Sequence, residues 1–139
     1  MLRTIEQRES EPQNERDERA PSQVTDDLWI CAYRQHNVYP RQVGGKWLLH
    51  ARHEHIDNLW RILALATEEG YLGSFSKVST VALPFTAETG IHVACIYTYN
   101  SEDHKDIMCV RAALSELGIM HQLSYEIWIN REPVTLYNA

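Results

Sequence analysis

The chain has 139 residues, is 44% hydrophobic and carries a formal net charge of −6. That length suits one domain, and the apolar content is enough for a core. The acidic balance argues against a general nucleic-acid binder, although a local basic cleft is compatible with it.

Residues 1–25 are polar and charged, with few large apolar side chains. They read as a disordered charged tail, with a protein-binding arm as the functional alternative. The single α+β domain is expected to span residues 26–139. Within it, Leu28 to Tyr33 has the apolar and aromatic content of a strand. Pro40 and the Gly44-Gly45 pair break the following loop, and Lys46 to Ala51 forms a second strand. A hairpin-like pairing of these two strands is one arrangement the spacing allows.

Ile56, Leu59, Trp60, Leu63 and Ala66 recur at helical spacing, which predicts a helix over about 55–69 ending at Gly70. Lys77 to Ala82 reads as a third strand, 84–90 as a loop, and Ile91 to Tyr99 as a fourth, central strand. Asn100 or Ser101 is placed to cap a second helix with an Ile107, Val110, Leu114 and Leu117 stripe, stopped by Gly118. Leu123 to Ile129 alternates as a fifth strand. The last ten residues carry little pattern. The order β-β-α-β-β-α-β predicts an α+β fold: a curved, largely antiparallel sheet with two main helices packed on one face. The other face is then free to be a site.

No apolar run is long enough to span a bilayer, and no signal-peptide core is present. Cys31, Cys95 and Cys109 are odd in number and lack a CxxC pair, so they read as reduced thiols in a cytoplasmic protein. No cofactor motif is found. His50, His53 and His55 cluster, but not in a metal-ligand spacing, and solvated turn histidines explain them better than a metal site.

Lys77 stands out among only three lysines, at the start of the third predicted strand. Lys77 and Ser79 share one strand face, and Lys46, Leu48 and His50 share another. Those two faces can line one site if the strands are neighbours. Trp29, Trp47, Trp60 and Trp128 could add stacking surface, although Trp60 lies on the helix stripe and reads as core, and tryptophans in strands more often belong to the core.

Several stretches occur in an ordered series: Trp29-Ile30-Cys31-Ala32-Tyr33-Arg34, Gly45-Lys46-Trp47-Leu48-Leu49, Gly70-Tyr71-Leu72-Gly73 and Ser76-Lys77-Val78-Ser79-Thr80. His92 to Tyr99, Arg111 to Gly118 and Leu123-Ser124-Tyr125 follow. The series resembles the small bacterial phosphothreonine-lyase-domain proteins and their eukaryotic relative, the basophilic-leukaemia-expressed protein family. The resemblance implies a fold like that of the cap-binding translation initiation factor. It also implies β-elimination of phosphate from a phosphorylated residue, with Lys77 as general base and His50 as the candidate acid. By the same analogy Lys46, Arg34 and Arg41 would face the phosphate; Ser79, on the strand face of Lys77, and His92, if the third and fourth strands pair, would lie close by.

The alternative is a binding module without a reaction, holding a nucleotide-like ligand, a phosphorylated peptide or a protein partner on the same cationic, aromatic face. Elimination needs a base at the Cα proton, cations on the phosphate and an acid for the leaving group. Binding needs only the cations.

Overall fold

A computed structural model describes residues 16–139. Six strands form one open antiparallel sheet: β1 (Trp29–Tyr33), β2 (Lys46–Arg52), β3 (Phe75–Ser79), β4 (Ile91–Tyr97), β5 (Ser124–Ile129) and β6 (Glu132–Asn138). Their spatial order is β1-β3-β4-β2-β5-β6, with every neighbouring pair antiparallel. The helices are α1 (His53–Glu68), α2 (Pro84–Thr89) and α3 (His104–Glu116). The expected α+β architecture is therefore observed.

Strand alternation sorts the side chains. Ile30, Ala32, Val78, Ala94, Ile96, Trp47, Leu49 and Tyr125 point to the helix side and are buried. They meet Ile56, Trp60, Leu63 and Ala66 of α1 and Ile107, Val110 and Leu114 of α3. Trp47 lies wholly inside and donates its indole N–H to the carbonyl of Ile107 at 3.0 Å. That bond ties the middle of the sheet to the first turn of α3.

Helix ends follow local chemistry. After α1 the chain turns at Gly70, whose φ of +89° suits glycine. Asp103, rather than Asn100 or Ser101, caps α3 by accepting from the backbone N–H of Asp106. Asn100 closes the preceding turn instead, accepting from the N–H of Glu102.

Three further expectations are corrected, and the last residues, which carried little pattern, prove to be a strand. β1 and β2 do not form a hairpin: β1 pairs with β3 and β2 with β4 and β5, so two strands lie between them. β3 spans Phe75–Ser79, which makes Lys77 its middle residue and not its first. Residues 84–89, expected as loop, form the short helix α2, entered at Pro84 and closed by Gly90 at a φ of +72°. The C-terminal residues form β6, joined to β5 by a tight turn in which Asn130 and Arg131 both have positive φ.

The packed chain begins before Asp26. Pro21, in a short 3-10 turn (Pro21–Gln23), and Val24 are buried against the helix layer. Ser22 donates to Asp57 of α1 from both its N–H, at 3.0 Å, and its hydroxyl, at 2.5 Å. Arg16 meets Glu68 at 2.8 Å, which gives that carboxylate, at the unfavourable C-terminal end of α1, a cationic partner. Residues 1–15, the rest of the expected tail, lie outside the described residues. Among the described residues no helix is long and apolar enough to cross a membrane.

Candidate functional site

The open face of the sheet carries the side chains that alternate away from the helices. One row across it reads Tyr33, Phe75, Tyr97, Lys46 and Glu126, on five successive strands. Tyr33 and Phe75 stack with ring centroids 5.9 Å apart, and Phe75 and Tyr97 at 4.3 Å. The adjacent row reads Cys31, Lys77, Cys95, Leu48 and Ser124. The next row contains Trp29, paired with Ser79, and His50, paired with Val93.

Lys77 and Lys46 converge across Tyr97. The Nζ of Lys77 lies 4.1 Å from the ring centroid of Trp29 and 5.8 Å from that of Tyr97. The Nζ of Lys46 lies 5.6 Å from the Tyr97 centroid and 5.7 Å from that of Trp128. These are cation–π distances, so the aromatic rings hold both ammonium groups without neutralising them. Among the described residues neither lysine has a carboxylate within 4.0 Å. Together with Tyr97, Gly45, Ser101, Glu126 and Trp128 they line a groove of about 600 Å³.

Burial governs the other groups here. It pushes the Cys95 thiol up despite the opposing pull of Lys46 and Lys77, so the thiol stays protonated at neutral pH. The Tyr97 phenol is also pushed up, chiefly by burial. No negative charge therefore competes for the lysines from these two neighbours.

The remaining candidates are distributed elsewhere. His50 is on the open face and exposed, but sits two strands from Lys77 and one row down. Two strand spacings alone separate the backbones by about 10 Å. Arg34 spends its guanidinium on the carbonyls of His36, Leu72 and Gly70 at 2.8–3.0 Å and stacks over Tyr39 at 4.4 Å. It fixes the loop after α1 and has no free fork for a phosphate. Arg41 is exposed on the 34–45 loop, beside a second hollow shared with Tyr33, Tyr39, Val43 and Phe75.

Ser79 is buried, its hydroxyl hydrogen-bonded to Thr86 of α2 and to the N–H of Val93. His92 alternates to the helix side and is fully buried. Its Nδ1 donates to the carbonyl of Ser79 at 2.7 Å, and its Nε2 faces His53 Nδ1 at 3.2 Å. The pairing of β3 with β4 does bring His92 near β3, but pleating points it away from Lys77. Among the described residues no cluster of metal-ligating side chains occurs.

Sequence patterning did not identify Trp29, Tyr33, Phe75, Tyr97 and Trp128 as one aromatic surface. The signal was the alternation itself, Trp29-x-Cys31-x-Tyr33 and Phe75-x-Lys77, once β1 and β3 are known to be partners.

The model of the family described as basophilic leukemia-expressed protein Bles03 matches residues 5–135. The chain belongs to this family. The Bles03 match covers all six strands but the last residues of β6, so the family unit contains the whole open face.

Proposed function

We propose that the open face is a binding site for a phosphate-bearing ligand, gripped between Lys46 and Lys77 and flanked by the aromatic rings. The observation that carries this reading is that both ammonium groups lie within cation–π distance of the Tyr97 ring and line one groove with it. A phosphate monoester placed there would accept charge-assisted hydrogen bonds from both lysines. Trp29, Phe75 and Trp128 offer flat surface to a planar part of the ligand, or apolar surface to a peptide chain.

A lyase reading uses the same pair. Lys77 would take the Cα proton, the Cβ–O bond would break, and phosphate would leave a dehydroamino acid. What favours it is that Lys77 is free of an ion pair among the described residues while Lys46 can hold the phosphate. What weighs against it is the acid: His50 lies across two strands, and the protonated groups nearer Lys77, the Cys95 thiol and the Tyr97 phenol, are made weaker acids by burial. Binding without reaction therefore stands first.

Calorimetry with a phosphothreonine peptide, its unphosphorylated form and a nucleoside monophosphate tests both readings. Phosphorylated ligands are expected to bind, and Lys46→Ala or Lys77→Ala to weaken binding about tenfold or more, the loss of one charge-assisted bond. Equal affinity for the unphosphorylated peptide would sink the reading. Mass spectrometry of the recovered peptide separates the mechanisms: loss of phosphoric acid, abolished in Lys77→Ala, makes the site a lyase centre.

A further inference from the structure

β1 is an edge strand whose outer side carries neither charge, proline nor bulge. The hydrogen-bond pattern fixes which groups face outward. Thr80 donates to the carbonyl of Leu28 and Arg34 donates to the carbonyl of Ser74, both at 3.0 Å. In the observed register these residues bracket the β1–β3 pairing, so Leu28, Ile30, Ala32 and Arg34 are the residues bonded to β3. Trp29, Cys31 and Tyr33 then direct their backbone N–H and C=O groups away from the sheet. Among the described residues the only partner on that side is the exposed side-chain amide of Gln35, on the Tyr33 carbonyl at 3.3 Å.

Natural edges are commonly blocked by charge, proline or a bulge. The opposite edge of this sheet is blocked in that way. β6 begins Glu132-Pro133 and has a register shift where it passes Tyr125 and Glu126. β1 has none of these devices.

We propose that β1 pairs antiparallel with β1 of a second copy of this chain about a two-fold axis at Cys31, joining the two sheets edge to edge. The strand is self-complementary in this register. Trp29 meets Tyr33 of the second copy, Ile30 meets Ala32, and each outward N–H and C=O finds its counterpart. Charge selects the antiparallel sense. Asp26 and Asp27 precede β1, sharing the single cation of Arg19 so that this end stays net acidic, and Arg34 and His36 follow it, so antiparallel pairing sets the acidic end of one copy against the basic end of the other. Parallel pairing would set acid against acid. The proposal is independent of what the open face binds.

The register makes a covalent probe available. Two Cys31 residues in a hydrogen-bonded antiparallel pair have Cα atoms about 5.5 Å apart, on the same face, within disulfide range. Diamide, which accepts two electrons and two protons from a pair of thiols, is expected to link them. Cys109, the exposed cysteine, serves as control.

Analytical ultracentrifugation of the full chain is expected to give twice the chain mass. Diamide cross-linking should be retained in Cys109→Ser and lost in Cys31→Ser. Cys31→Pro removes an outward N–H without breaking a bond to β3, so it should yield a folded monomer. Should that variant unfold, the cross-linking pattern of the two serine variants still decides. A monomer at all concentrations, a dimer unchanged by Cys31→Pro, or cross-links that run through Cys109 would overturn the proposal.

Discussion

His92 shows what a buried titratable residue does for this fold. A carbonyl accepts only, so the contact with Ser79 fixes the proton on Nδ1 and leaves Nε2 to accept from His53. Burial is the main cause that holds its pKa below the ordinary histidine value. His53 adds to that, while the Ser79 bond and Asp57 oppose it. The unfolded chain therefore takes up this proton first, near pH 6.5, as pH falls. Its contribution to stability is complete above that pH and is lost below it. Thermal melts from pH 8 to pH 5 should show a declining midpoint, with a shallower decline in His92→Gln. Parallel curves would mean that other groups carry the acid sensitivity.

Arg111 is the other polar residue on which much rests. It is 8% exposed and donates to the carbonyls of Ala139, Ile119 and His121 and to the hydroxyl of Ser115. One guanidinium thus joins α3, the loop after it and the end of the chain beyond β6. Arg111→Met keeps the apolar stem and strands those carbonyls, for a cost of about 3 kcal/mol. Urea unfolding checks it; a loss below about 1 kcal/mol would show that water replaces the bonds. Arg111 opens the Arg111–Gly118 stretch, and its role could not be seen there because its partners lie on other segments.

At the level of elements, periodicity located α1, α3, β2 and β4 to within a few residues, because one buried stripe or alternation dictates each of them. Pairing was less accessible. β1 and β2 are consecutive, joined by the 34–45 loop, yet their partners lie farther along the chain, and no local feature encodes that β3 and β4 come between them. The same gap explains the site. Lys46 and Lys77 were legible as lysines on strand faces, but their meeting over Tyr97 depends on β4 lying between β2 and β3.

Gly73, in the Gly70–Gly73 stretch, has its reason in the same region. A Cβ there would overlap the carbonyl oxygen of Tyr97, the residue between the two lysines. Gly73→Ala must push β4 from the loop before β3, which predicts a loss of about 1–3 kcal/mol. It should also weaken ligand binding at the open face. A variant with wild-type stability would show that the loop yields without moving β4.

The molecule as a whole is acidic, and the described residues place its N-terminal arm on the helix side, opposite the lysines. That arm buries Pro21 and Val24, engages Asp57 through Ser22 and supplies Arg16 to Glu68. Burial of two apolar side chains with two hydrogen bonds is worth about 3 kcal/mol after ordering costs. A chain starting at residue 26 should therefore melt well below one starting at residue 16. Because the arm and the lysines lie on opposite faces of the sheet, the shorter chain should keep its affinity for a phosphorylated ligand at temperatures where it is still folded. Calorimetric melting of the two truncations, with titrations at low temperature, separates the effects. If stability is equal, the arm is a bystander; if affinity falls with stability, the two faces are coupled through α1 and the sheet.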